Sequence, residues 1–107
     1  MNSEIIEVRA KLTLYPTENG GRKNGIKSGY RPNHVFEYLE NPSDFETTYM
    51  GIIEFEKEWI LPGETANVKV TFIKNQNIVK LIKIGRIWWI HEGPWKIGEA
   101  QITQMLP

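Results

Sequence analysis

Val8-Arg9-Ala10-Lys11-Leu12-Thr13-Leu14-Tyr15 decides the fold of this chain. Apolar Val8, Ala10, Leu12 and Leu14 alternate with Arg9, Lys11, Thr13 and Tyr15. Successive side chains of an extended strand point to opposite faces, so this pattern predicts a strand buried on one side only. Asn67-Val68-Lys69-Val70-Thr71-Phe72 repeats the alternation. Val35 to Leu39, Thr48 to Phe55, Ile78 to Ile84, Arg86 to His91 and Ile97 to Met105 are rich in β-branched and aromatic residues and are predicted as further strands. No segment sustains an apolar repeat near 3.6 residues, so no substantial helix is expected.

Turn chemistry separates these segments. Asn19-Gly20-Gly21, Asn24-Gly25, Arg31-Pro32, Asn41-Pro42, Leu61-Pro62-Gly63 and Gly93-Pro94 supply the residues that reverse a chain. About six or seven short strands at this spacing fit a closed barrel or a small sandwich. Closure removes the unpaired strand edges that invite aggregation, so an all-β, closed, antiparallel barrel is expected. The 107 residues suit one domain with one core, and no linker or repeat divides them.

Composition excludes several functions. The absence of cysteine removes disulfides, thiolate chemistry and cysteine-based zinc sites, and agrees with a reducing compartment. Met1 to Leu12 contains no continuous apolar run of the signal-peptide kind, and no segment approaches the roughly 20 apolar residues of a membrane span. A cytoplasmic protein without membrane contact is expected. Asn41-Pro42-Ser43 carries the proline that forbids glycosylation.

Thirteen basic and thirteen acidic residues cancel, so the chain as a whole has no polyelectrolyte attraction to nucleic acid. Their distribution is uneven. From Pro32 to Glu64 the only Lys or Arg is Lys57, whereas Thr65 to His91 contains no acid but holds Lys69, Lys74, Lys80, Lys83 and Arg86. Two arrangements accommodate this: oppositely charged faces, or strands that pair and neutralise each other across a sheet.

Catalytic constellations are missing from the sequence. His34 and His91 are far apart, lack a metal-ligand neighbour two or four residues on, and are expected at the surface or at strand ends. No serine sits in a Gly-x-Ser-x-Gly turn, and the carboxylates show no signature spacing. Gly20-Gly21-Arg22-Lys23-Asn24-Gly25-Ile26-Lys27-Ser28 imitates a phosphate-binding loop with one extra residue, but Gly29-Tyr30-Arg31-Pro32 cannot start the helix such a loop requires. Neither an enzyme, nor a metal or cofactor, nor a small-molecule substrate is expected.

Two surfaces remain as binding candidates. The glycine-rich loop carries Arg22, Lys23, Lys27 and Arg31 with Tyr30 among them, a combination suited to phosphate and sugar contacts or simply to solvation. Trp88 and Trp89 are adjacent on an expected strand and must face opposite ways. Trp95 follows Gly93-Pro94 and is expected either exposed, as an interface anchor, or folded over the open end of the barrel.

Taken in order, Val8-Arg9-Ala10-Lys11, Gly20-Gly21-Arg22, Gly29-Tyr30-Arg31-Pro32, Leu61-Pro62-Gly63, Glu92-Gly93 and Gly98 resemble the C-terminal β-barrel domain of bacterial elongation factor Tu, over about residues 8–106. The resemblance implies a six-stranded barrel that packs on a GTPase domain and holds the T-stem backbone of aminoacyl-tRNA. It makes Arg22 a candidate T-stem contact and Glu92-Gly93 a second strip near the RNA, and it assigns Tyr30, Arg31 and Pro32 a chiefly structural role. Lys23-Asn24 stands where the family usually has His-Thr, and Asn33 where it usually has Gln. His91-Glu92-Gly93-Pro94-Trp95-Lys96 stands where the family has Arg-Glu-Gly-Gly-Arg-Thr, so Pro94-Trp95 replaces Gly-Arg. The stretch from Asn75 to Ile84 is a few residues longer than usual.

These 107 residues hold no counterpart of the family's GTPase domain, and GTP hydrolysis is not expected of them. The resemblance implies a translation-associated binding module that uses Arg22, Lys23, Asn24, Lys27, Arg31, Asn33, Glu92 and Gly93 toward tRNA. The alternative is a protein-binding mimic of that barrel, an inhibitor, immunity-type or accessory protein, with Trp95 and Lys96 at its interface and a translation-factor partner.

Overall fold

The structure, a computed structural model, describes residues 4–40, 44–45, 47–74 and 77–107. Eight strands form among them: β1 (Ile5–Leu14), β2 (Ile26–Lys27), β3 (Asn33–Val35), β4 (Tyr49–Glu54), β5 (Trp59–Ile60), β6 (Thr65–Ile73), β7 (Ile87–Glu92) and β8 (Trp95–Met105). Six of them close an antiparallel barrel in the order β1-β6-β4-β3-β7-β8, and β2 and β5 pair in a separate two-stranded sheet. The expected six-stranded barrel is the observed one.

The alternation read in the sequence becomes the inside and outside of this barrel. Val8, Ala10, Leu12 and Leu14 of β1 face the core, and their partners in register include Val70 and Val68 of β6. On the outer face Lys69 of β6 reaches both Glu7 of β1, at 3.7 Å, and Glu54 of β4, at 3.6 Å. At this position the acidic and basic regions of the chain meet by strand pairing.

Two expected strands are corrected. Ile78 to Ile84 is not a strand: Val79–Leu81 forms a 3-10 turn, and Ile78, Leu81 and Ile82 enter the core. Their spacing of three and four residues is that of a helical turn, which β-branched composition had masked. Val35 to Leu39 is a strand only as far as Val35. Beyond it Phe36 stacks on Trp88, with centroids 5.3 Å apart, and Tyr38 lies against Trp89 and His91 of β7. The expected Asn41-Pro42 turn lies outside the described residues, as do Ser3, Ser43, Glu46 and the first two residues of the Asn75 to Ile84 stretch.

The tryptophan pair is resolved by the same covering segment. Trp88 is wholly buried in the barrel, whereas Trp89 is half-buried on the outer face under Tyr38. Both histidines are buried, which corrects the surface alternative, and His91 stands next to the end of β7, the other placement expected. His34 sits in the barrel beside Phe72 and Trp88. Its Nδ1 accepts the Trp88 indole N–H at 2.9 Å, so its Nε2 carries the proton and donates to the Gly51 carbonyl at 3.2 Å. Burial holds the His34 pKa down to about 4. No helix among the described residues is long and apolar enough to cross a membrane.

Candidate functional site

The glycine-rich loop between β1 and β2 meets the tip of the β7–β8 hairpin through one arginine. Arg22 donates from Nε to the Asn24 carbonyl at 3.1 Å and from Nη2 to the Gly25 carbonyl at 3.4 Å. Its Nη1 reaches the Tyr30 hydroxyl, at 3.4 Å, and the Glu92 carboxylate. The guanidinium also lies 5.4 Å from the Tyr30 ring centroid. Tyr30 donates its hydroxyl proton to the same Glu92 carboxylate. Burial, and then that bond to a negative acceptor, raise the Tyr30 pKa well above the usual phenol range. Residues 70 positions apart are thereby fastened at one spot.

Local chain geometry explains why the loop can lie there. A Cβ at Gly25 would come 2.5 Å from the Ile60 carbonyl oxygen, so only glycine lets the loop rest against β5. The hairpin tip is a two-residue turn between the paired Glu92 and Trp95. Gly93 adopts φ 58°, a left-handed value that a hairpin of this length requires at its first central position. The Gly93 N–H donates to Asn33 Oδ1 at 3.2 Å, tying the tip to β3.

The candidate residues therefore divide. Arg22, Asn24 and Glu92 meet directly, and Asn33 and Gly93 are bonded to each other. Lys23 is exposed on the loop, and the Lys27 ammonium lies 5.2 Å from the ring centroid of Trp59, its partner across the β2–β5 ladder. Arg31 lines a different concavity, about 280 Å³, with Ile5, Met50 and Ile73. Trp95 is 70 % exposed, so of its two expected placements the structure has the exposed one. Lys96 lies over the aromatic side chains of the outer face, its ammonium 4.6 Å from the Tyr38 ring centroid and 5.6 Å from that of Trp89.

Next to the hairpin tip His91 lies beneath Tyr38 and Phe45. Its Nδ1 donates to the Gly93 carbonyl at 3.3 Å, and its Nε2 accepts the Tyr38 hydroxyl at 2.6 Å. Burial and the nearby Lys96 lower the His91 pKa, and burial raises that of Tyr38 to about 12. Both groups are held neutral near pH 7, as a bond from a hydroxyl to a ring nitrogen requires. Among the described residues no three His, Asp or Glu side chains are grouped to hold a metal ion.

Sequence reasoning missed Trp59. It lies on β5, a strand of two residues, too short for an alternation to register.

The geometry defines a closed six-stranded antiparallel barrel that carries a basic loop pinned to a hairpin tip. Over 101 residues, 94 % of its length, the chain is 25 % identical to the apicoplast elongation factor Tu of Theileria parva. It spans 24 % of the length of that curated relative, so the similarity is to one part of the factor. No family model matches the chain. The distant similarity and the six-stranded barrel agree with the resemblance carried by the sequence motifs.

Proposed function

We propose that this barrel is a non-catalytic, translation-associated binding module that receives the backbone of tRNA at the loop-and-hairpin surface. The observation that carries this reading is the meeting of the Gly20–Lys27 loop with the Glu92-Gly93 tip through Arg22 and Tyr30. The matched segments of the C-terminal barrel of elongation factor Tu are the ones implied to lie along tRNA. Lys23 and Lys27 supply cations, Asn24 and Asn33 supply amides, and Arg22 fixes the loop that presents them.

Phosphate contacts make affinity fall with salt. Three neutralised phosphates correspond to roughly a 40-fold weaker affinity at about 200 mM than at about 50 mM salt. A gel shift with bulk tRNA at these two concentrations tests the reading, and absence of a shift at the lower one removes it.

A second reading is favoured by two observations. Trp95 is exposed at the hairpin tip, and the Arg22 guanidinium is already engaged by Glu92. Both suit a protein partner, for which a tryptophan is a strong anchor and a neutral surface carries no penalty. Under that reading tRNA gives no shift, and Trp95→Ala abolishes capture of a translation-factor partner from lysate.

A further inference from the structure

The loop that carries Arg22 and the short strand β5 enclose an open concavity of about 410 Å³, lined by Arg22, Asn24, Gly25, Trp59 and Leu61. It contains no carboxylate of its own. Trp59 is 40 % exposed, and Leu61 beside it 49 %. Nothing in the tRNA-backbone reading assigns a role to this indole, and phosphate and ribose offer no aromatic face to stack on it.

We propose that Trp59 is a stacking platform for an unpaired RNA base, with Lys27 and Lys23 holding the phosphates on either side of that base. Three features support it. The indole is fixed: Lys27 and Trp59 are register partners across the β2–β5 ladder, and the ammonium lies 5.2 Å from the ring centroid. The ammonium sits over one face of the ring, so the base is laid on the other, with that cation within reach of its phosphate.

The second feature is the floor of the concavity. Gly25 lines it together with Trp59, and the loop backbone there lies so close to β5 that a Cβ would come 2.5 Å from the Ile60 carbonyl oxygen and 3.0 Å from the Leu61 side chain. The third is the charge around it. Lys23 and Lys27 lie on the loop side, where Arg22 is already paired with Glu92, whereas Glu56 and Glu58 are exposed on the segment entering β5, where Lys57 between them is paired with Glu64. A polyanion is therefore guided along the loop and away from the β4–β5 connection. Base faces inside a duplex are already covered by their neighbours, so the occupant is single-stranded.

This inference rests on the RNA reading above and adds a base-binding position to it. The test uses the whole chain with two labelled probes, an unstructured RNA of about 12 nucleotides and a blunt RNA duplex of the same length, in fluorescence anisotropy at low salt. The wild type is expected to hold the single strand more tightly than the duplex. Trp59→Ala is expected to weaken the single strand roughly tenfold without changing the duplex, since one stacked base is lost. Trp59→Phe, which keeps a smaller ring and guards against a folding defect, is expected to retain most of the affinity.

Equal single-strand affinity for Trp59→Ala and wild type overturns the stacking platform, while binding of the duplex leaves the backbone reading standing. Failure of both probes to bind overturns both, and makes the Trp59 face a protein contact. A single-stranded DNA of the same sequence binding as tightly as the RNA overturns the assignment of RNA as the occupant.

Discussion

His34 is a titratable side chain enclosed in an apolar barrel, and its proton inventory follows from its two neighbours. The Trp88 N–H needs an acceptor and the Gly51 carbonyl needs a donor, and the neutral imidazole supplies both. In the unfolded chain the ring titrates near 6.5, in the barrel near 4. As pH falls through this window the unfolded chain takes up a proton that the folded chain refuses. The stabilisation is complete above pH 6.5 and is lost progressively toward pH 4, by roughly 3 kcal/mol in total. His91, also shifted downward, acts in the same direction. Urea midpoints at several pH values measure this. His34→Leu is expected to cost roughly 1–3 kcal/mol at neutral pH, because Trp88 loses its acceptor, yet to flatten the slope below pH 6.5. An undiminished slope in that variant places the titration elsewhere.

At the scale of elements, the Gly20–Lys27 loop, entered from a 3-10 turn at Thr17–Asn19, has little structure of its own beyond the two residues of β2. Its position depends on the β7–β8 hairpin through the shared Glu92 carboxylate. Glu92→Gln removes the charge while keeping the shape. Both partners are partly exposed, so the cost in global stability is about 1 kcal/mol or less. The larger effect is local: the Tyr30 pKa falls toward the ordinary phenol value, and the loop is released. Tryptic cleavage after Arg22 or Lys23 is expected to accelerate several-fold while the unfolding midpoint barely moves. Unchanged cleavage shows that the loop holds its place without the hairpin.

This arrangement also marks how far the site was legible. The glycines and cations of the Gly20–Lys27 loop and the Gly93-Pro94 turn were legible locally, whereas Glu92 was singled out only by the resemblance to elongation factor Tu. That one guanidinium joins them was not legible, because no local pattern spans 70 residues. Trp59 escaped for a related reason: a two-residue strand has no period, and its partner Lys27 lies on another segment.

At the scale of the molecule, closure depends on β1, which pairs with β6 on one side and β8 on the other, and on the aromatic cluster inside. Phe72 touches the rings of His34, Phe36 and Trp88. Phe72→Ala is expected to lower stability by roughly 3–5 kcal/mol, with fluorescence and circular dichroism losing their signals in one transition. Separate transitions by the two probes indicate a barrel that comes apart in pieces.

The sequence by itself determined the strand faces, the turns and so the closed barrel, because a period of two and the conformational demands of glycine and proline are local properties. Only the tertiary structure decided which side chains are hidden on the outer face and in the connections. Tyr38 and Phe45 bury His91 by covering a face of β7 that alternation alone assigns to solvent. Ile78, Leu81 and Ile82 became a core-filling turn rather than a strand. Burial on an outer face depends on which distant segment lies over it, and that choice is made by the whole barrel as it closes.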